Sequence, residues 1–323
     1  MTSLPHLATG LLLGATLATT ANAADSRPIA ITDPGYATAQ GTAYVVEALI
    51  QDRFGDQTRI VNTTSVPVIW EALNRNNGDI DIWTDVWLPN QAPFVDQYTG
   101  DKGQAILAQP SYAGTQGYCT TRATAEKHDI HSVYDLSNPD KISAFDSNGD
   151  GKGEIWLGAA GWLSTGFERI RARDYGFADF FDLQTTDEAV ATAALDAAVK
   201  KGTGWVGYCY APHQNFARYD LVQLEEPPYD PNAWNVVDSS DPNWLEKSSI
   251  ASAYKDAAIH MAYSRSLKTR APEVAALLER VTFTTEEVNQ LAYAIAVENT
   301  PPREAAQEWI AAHPDIVAQW TAD

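Results

Sequence analysis

Between residues 28 and 87 the chain switches repeatedly between a two-residue and a 3.6-residue hydrophobic period. This rhythm narrows its folds more than any other feature. RPIAITD (27–33) reads as a strand, and YATAQGTAYVVEALIQDRFG (36–55) has helical apolar spacing that ends at Gly55. QTRIVNTTS is a second strand, VPVIWEALNRNNG a second helix closed by Asn-Gly, and DIDIWTDVW alternates as a third strand. Strand, helix, strand, helix, strand is the signature of a parallel sheet with crossover helices. A similar unit restarts at EIWLGAAG, with a helix from Thr165, then EAVATAALDAAVKKG leading into the strand WVGYCYAP. From Pro272 to Asp323 the pattern is nearly all helical, with no short repeat or low-complexity segment anywhere in the chain. The expected fold class is α/β, in two lobes.

The 323 residues, 45% hydrophobic and 20% charged, can build two domains without disulfide staples. Against 42 acidic residues stand 22 Lys and Arg, a formal charge of −20. Phosphates need cationic neutralisation, so nucleic acid is excluded as a partner, and docking on anionic lipid is disfavoured. The run LATGLLLGATLAT (7–19), followed by small residues at Ala21 and Ala23, has the layout of a signal peptide cleaved near Ala23. An exported, periplasmic protein is expected. Cys119 and Cys209 both sit in strand-like aromatic segments. They either form a disulfide, which exported proteins retain, or are two buried thiols.

Enzyme motifs are absent: there is no HExxH, GxSxG or P-loop. GTGWVG (202–207) matches GxGxxG but follows a helix and opens a strand, the reverse of a dinucleotide fingerprint. The six histidines are scattered, and the close pair in HDIH reads as a solvated turn. An exported hydrolase using a carboxylate pair is the alternative of a different class. DSNGDGKGE places Asp146, Asn148, Asp150 and Glu154 like the first half of a calcium loop, although position 12 is Leu157. A polar Asx/Gly turn without an ion reads the segment equally simply, and any calcium here would be structural. No other cofactor is expected.

The chain carries 10 Trp, and three aromatic rings fall where open α/β sheets bind ligands, at the carboxyl ends of strands. Trp87 ends the third strand, Trp162 follows EIWLGA, and Tyr210 ends WVGYCY. Such rings form a cage for a cation that has no N–H to donate, held by their quadrupoles. Tyr36, after the first strand, is a further wall. Around Gly161 and Leu163 a helix begins, and its free N–H groups and dipole suit a small carboxylate. Cage plus anion nest describes a zwitterion. Trp83, Trp156, Trp309 and Trp320 read as core.

WLPNQ, QGYCTT, FDSNGDGKGEIWLGAAGW, CYAP and EWIAAHPDIVAQW together resemble the periplasmic glycine-betaine-binding proteins of osmoprotectant ABC importers, the OpuAC/ProX type. The resemblance covers most of the mature chain. It implies a type II two-lobe periplasmic substrate-binding fold with the ligand in the interlobe cleft. Residues 24–113 with 258–323 would form one lobe and 114–257 the other, after a 1–23 signal peptide. The family's three-Trp box falls on Trp87, Trp162 and Tyr210, with Tyr replacing the third Trp. Its carboxylate contacts fall on the backbone at Leu163 or Gly161. Gln91 stands where the family can carry His. The implied partners are glycine betaine or its sulfonium analogue dimethylsulfoniopropionate, and an ABC permease in the inner membrane. Trimethylamine N-oxide and choline are alternative ligands, and a monomer is expected. Three cation–π contacts at about 2 kcal/mol each and two charge-assisted hydrogen bonds at roughly 1.5–3 each, less the costs of closure and association, correspond to a Kd around micromolar.

Overall fold

The computed structural model describes residues 27–322. The apolar run 7–19 and the expected cleavage point lie outside them. Eleven strands follow in order: β1 (Ile29–Asp33), β2 (Thr58–Asn62), β3 (Ile82–Leu88), β4 (Ala105–Thr121), β5 (Gly153–Trp156) and β6 (Phe181–Gln184), then β7 (Val206–Ala211), β8 (Leu221–Gln223), β9 (Trp234–Asn235), β10 (Ser249–Ile250) and β11 (Ala257–Ser264). The main sheet runs β2-β1-β3-β11-β4-β7-β5-β6, with β8 beside β4.

The two sequence units are the two parallel ends of this sheet. β1 pairs in parallel with β2 and β3, and β5 in parallel with β6 and β7. Between them lie two antiparallel strands that the βαβ rhythm did not reveal. β11 fits between β3 and β4, so the sheet is mixed rather than parallel throughout. β4 is 17 residues long and serves both ends: residues 105–114 pair with β11, residues 115–121 with β7 and β8. The Sγ atoms of Cys119 and Cys209 are bonded between β4 and β7, with their Cα atoms 5.7 Å apart.

Helices cover each end because each βαβ crossover must bury one apolar stripe. The first helix (Ala37–Leu49) continues through a wider π turn (Ile50–Phe54) and stops at Gly55, whose φ of +73° suits glycine. The C-terminal helices Thr285–Ala296 and Pro302–Ala312 pack on it. Gly41 lets Leu291 approach so closely that a Cβ there would lie 2.7 Å from it. Trp309 and Trp320 stack at 5.6 Å in this same core, against Phe283. In the other half the fully buried Arg171 meets Glu168 at 2.7 Å and also pairs with Glu226. The faces of Tyr118 and Tyr254 enclose its guanidinium at 4.9 and 4.6 Å.

Candidate functional site

The parallel strands of both halves end at one cavity. Its lining includes Tyr36, Val66, Trp83, Asp85, Trp87 and Asn90 from the first half, and Gln116, Trp162, Tyr208 and Tyr210 from the second. The two-residue period of β3 puts Trp83, Asp85 and Trp87 on one face, toward the cavity. The rim of the Trp87 indole packs against Gly114 of β4, where a Cβ would come within 2.7 Å of the ring. Tyr36 precedes the first helix with extended backbone, φ −123°, which turns its ring to the cavity. Trp162 does the same at the N-cap of the helix Leu163–Asp174, which therefore begins two residues earlier than its sequence pattern indicates.

Four of the expected residues form a connected box of rings. Tyr36 and Trp162 meet edge-on at 5.3 Å, Trp162 and Tyr210 at 5.8 Å, and Tyr210 and Trp87 at 5.6 Å. Interplanar angles of 73–88° give each ring the edge of its neighbour, the favoured arrangement of aromatic quadrupoles. Gln91 and Leu163 also line the cavity. Gly161 does not: its carbonyl accepts from the Val66 N–H at 3.5 Å, and a Cβ on it would lie 2.7 Å from the Thr64 carbonyl oxygen. It sits where the halves touch.

The polar groups fall into two sets. Asn90 donates to Gln116 Oε1 at 2.6 Å, and Tyr208 donates to the same oxygen at 2.9 Å, bridging the halves beside the box. The indole N–H groups of Trp83 and Trp162 are buried without a partner. Trp83 is 2% exposed, as a core residue should be, but it is also cavity wall. The helix beginning at Leu163 has no side-chain cap, so its first N–H groups are open beside the cavity.

Two carboxylates back the rings. Asp85 accepts from the Tyr36 hydroxyl at Oδ2 and from Trp87 Nε1 at Oδ1, the latter at 3.1 Å. Burial raises its pKa to about 6; those two hydrogen bonds pull it down, and the charge of Glu188 adds to the rise. Glu188 begins the helix Glu188–Lys201 and accepts from the Tyr210 hydroxyl. His213 Nε2 lies 3.2 Å from it and Gln214 Nε2 3.5 Å. Burial would raise Glu188, but His213, Tyr210 and Gln214 outweigh it and hold the carboxyl below its ordinary range. The Asn215 N–H donates to His213 Nδ1 at 3.0 Å, so the ring proton sits on Nε2, facing Glu188.

Neither carboxylate was singled out in the sequence, yet a signal for this arrangement was present. Trp87-Leu88-Pro89-Asn90-Gln91 and Tyr210-Ala211-Pro212-His213-Gln214 match position for position: ring, spacer, cis proline, polar residue, glutamine. Each ring donates to a carboxylate, and each glutamine reaches the same acidic residue, Gln91 at the Asp85 carbonyl.

The loop of Asp146, Asn148, Asp150 and Glu154 directs its oxygens at its own backbone. Asp146 accepts from Gly149 and Gly151, Asn148 from Asp150, Asp150 from Lys152 and Glu154 from Ser147. Among the described residues no three acidic, His or Cys side chains are grouped to hold a metal. No helix among them is long and apolar enough to cross a membrane.

Residues 27–312 match the model of the substrate binding domain of ABC-type glycine betaine transport systems. The chain belongs to this family, whose members are substrate-binding transport proteins and not enzymes. With the glycine betaine/carnitine transport binding protein GbuC of Listeria monocytogenes it is 27% identical over 143 residues, 44% of this chain and 40% of that protein. The match thus spans less than half of that relative. With the trimethylamine N-oxide-binding protein of Pelagibacter ubique it is 23% identical over 318 residues, 93% of this chain and 92% of that protein. An ABC-transporter choline binding protein, solved with choline, superposes with a TM-score of 0.70 at 19% identity, covering 91% of each chain. The fold is that of type II periplasmic binding proteins.

Proposed function

We propose that this protein captures a small zwitterionic onium osmolyte, glycine betaine or dimethylsulfoniopropionate, and delivers it to an ABC permease in the inner membrane. The carrying observation is the box of Tyr36, Trp87, Trp162 and Tyr210, four rings contributed by both halves to one cavity. Methylated onium groups have no N–H to donate, and ring faces hold them by electrostatic attraction. The ligand's carboxylate would lie against the open N–H groups at Leu163 and Ser164. The two lobes, 24–113 with 258–323 and 114–257, would close over it, since neither supplies the whole box.

A second reading, trimethylamine N-oxide, draws support from the Pelagibacter relative matched over 93% of this chain. Its oxygen would take the unpartnered indole N–H groups of Trp83 and Trp162. Calorimetric titration of the protein with glycine betaine, dimethylsulfoniopropionate, trimethylamine N-oxide and choline in parallel tests both. Micromolar binding of one of the two carboxylate zwitterions supports the first reading; preferential binding of the N-oxide replaces it with the second. No heat from any of the four contradicts both.

A further inference from the structure

We propose that Asp85 and Glu188, one from each half, set the preference of the box for a positively charged head over an uncharged group of the same shape. The proposal rests on the onium reading above. It starts from a contrast among the buried carboxylates. Glu47 meets Arg303, Asp81 meets Arg270 at 2.7 Å, and Glu168 meets Arg171. Asp33 is held by the Gly35 N–H, Gln40 and Tyr44. Asp85, 1% exposed, has on its carboxylate oxygens, among the described residues, only the Tyr36 hydroxyl and the Trp87 N–H.

The ionisable groups facing Asp85 are Tyr36, Tyr112, Tyr208, Tyr210 and Glu188, which contribute no positive charge. Among the described residues no Lys, Arg or His lines the cavity. A buried carboxylate without a cationic partner is costly, and that cost falls when a cation arrives. The upward displacement of the Asp85 pKa is the same effect seen from the proton's side.

Glu188 acts through Tyr210. It does not line the box, but it accepts the hydroxyl of a ring that does. A phenol donating to a carboxylate shares its negative charge, so the ring face holds a cation more strongly. His213 and Gln214 fix the carboxylate in place, as Tyr36 and Trp87 do that of Asp85, whose backbone carbonyl takes the Gln91 amide. Glu188 is therefore a positioning residue, and Asp85 is part of the wall.

The test compares glycine betaine with 3,3-dimethylbutanoate, its carbon isostere, which has the same shape and carboxylate but no positive charge. Titrations use wild-type protein, Asp85→Asn and Glu188→Gln at about pH 7.5 and about pH 5. Wild type should favour the betaine by about a hundredfold or more, Asp85→Asn should shrink that ratio about tenfold or more, and Glu188→Gln severalfold. Acidification should weaken betaine binding in wild type and leave Asp85→Asn unchanged. An unaltered ratio in Asp85→Asn overturns the proposal while leaving the onium reading in place. If that variant does not fold, a wild-type betaine affinity that is constant between the two pH values overturns it. Wild-type protein that binds no onium ligand overturns both.

Discussion

Trp162 and Tyr210 meet edge to face, with ring centroids 5.8 Å apart and planes at 81°. Tyr210 stands in β7, whereas Trp162 caps a helix, and Tyr36 and Trp87 reach them from the other half of the sheet. The box is thus completed only where both halves meet. Replacing Trp162 or Trp87 by Ala should weaken onium binding about tenfold or more. Thermal unfolding should still show a folded protein. Unchanged affinity in either variant contradicts the box.

Gly161 predicts a different effect. A methyl group there would lie 2.7 Å from the Thr64 carbonyl oxygen in the opposite half. Gly161→Ala should weaken ligand binding by obstructing that approach, with little change in the melting temperature of the unliganded protein. Calorimetry and thermal unfolding on the one variant separate the two quantities. Equal affinity would show that the close approach is not needed for binding.

Asp85 gives a pH dependence of stability with a definite sign. Its folded pKa, about 6, is above the ordinary value of 3.8. Between these values the folded state binds the proton and the unfolded state does not, so this group adds stability as pH falls from about 7 toward about 4. Asp85→Asn resembles the protonated form. The unliganded variant should therefore be more stable than wild type at pH 7.5, by about 3 kcal/mol at most, and the difference should close near pH 4. A difference constant with pH would contradict the assignment. Stability lost in this way at neutral pH is a common cost of a binding site.

The Cys119–Cys209 bond closes a loop with a sequence separation of 90. The chain-entropy account puts its contribution at about 4–5 kcal/mol. Replacing both cysteines by Ser should lower the denaturation midpoint strongly. Affinity at 25 °C should persist, because β4 and β7 remain paired by register from Thr115–Ala211 to Thr120–Val206. A double variant as stable as wild type would contradict this.

The parts legible in the sequence were those carried by local periodicity. The first βαβ unit, the first and last strands and both helices of the second, the turn at Gly55 and the C-terminal helices follow from hydrophobic spacing and glycine chemistry, whereas the short edge strand β6 between those two helices was not read. That Trp87, Trp162 and Tyr210 share one cavity was expected from their places at strand ends. β11 and the length of β4 were not legible, although the segment around Cys119 at the end of β4 read as strand-like. Their pairing joins residues more than 140 apart, and Pro110 and Gly114 interrupt the β4 pattern. Asp85 could have been read, since alternation in Trp83-Thr84-Asp85-Val86-Trp87 puts it on the face of both indoles. Glu188 could not, because only the folded chain brings a helix start 22 residues away against the Tyr210 hydroxyl. The pairing of WLPNQ with YAPHQ lies between these cases. It is visible in the letters, but its meaning appears only once both prolines are seen to follow cavity rings.

The most direct test of the account is the position of the onium centre in a crystal structure of the protein grown with whichever of the four titrated ligands binds best. The account predicts that centre among Tyr36, Trp87, Trp162 and Tyr210, with Asp85 as the protein carboxylate nearest to it. An onium centre outside these rings, for instance in the cleft lined by Arg122, Lys127 and Arg218, would contradict it.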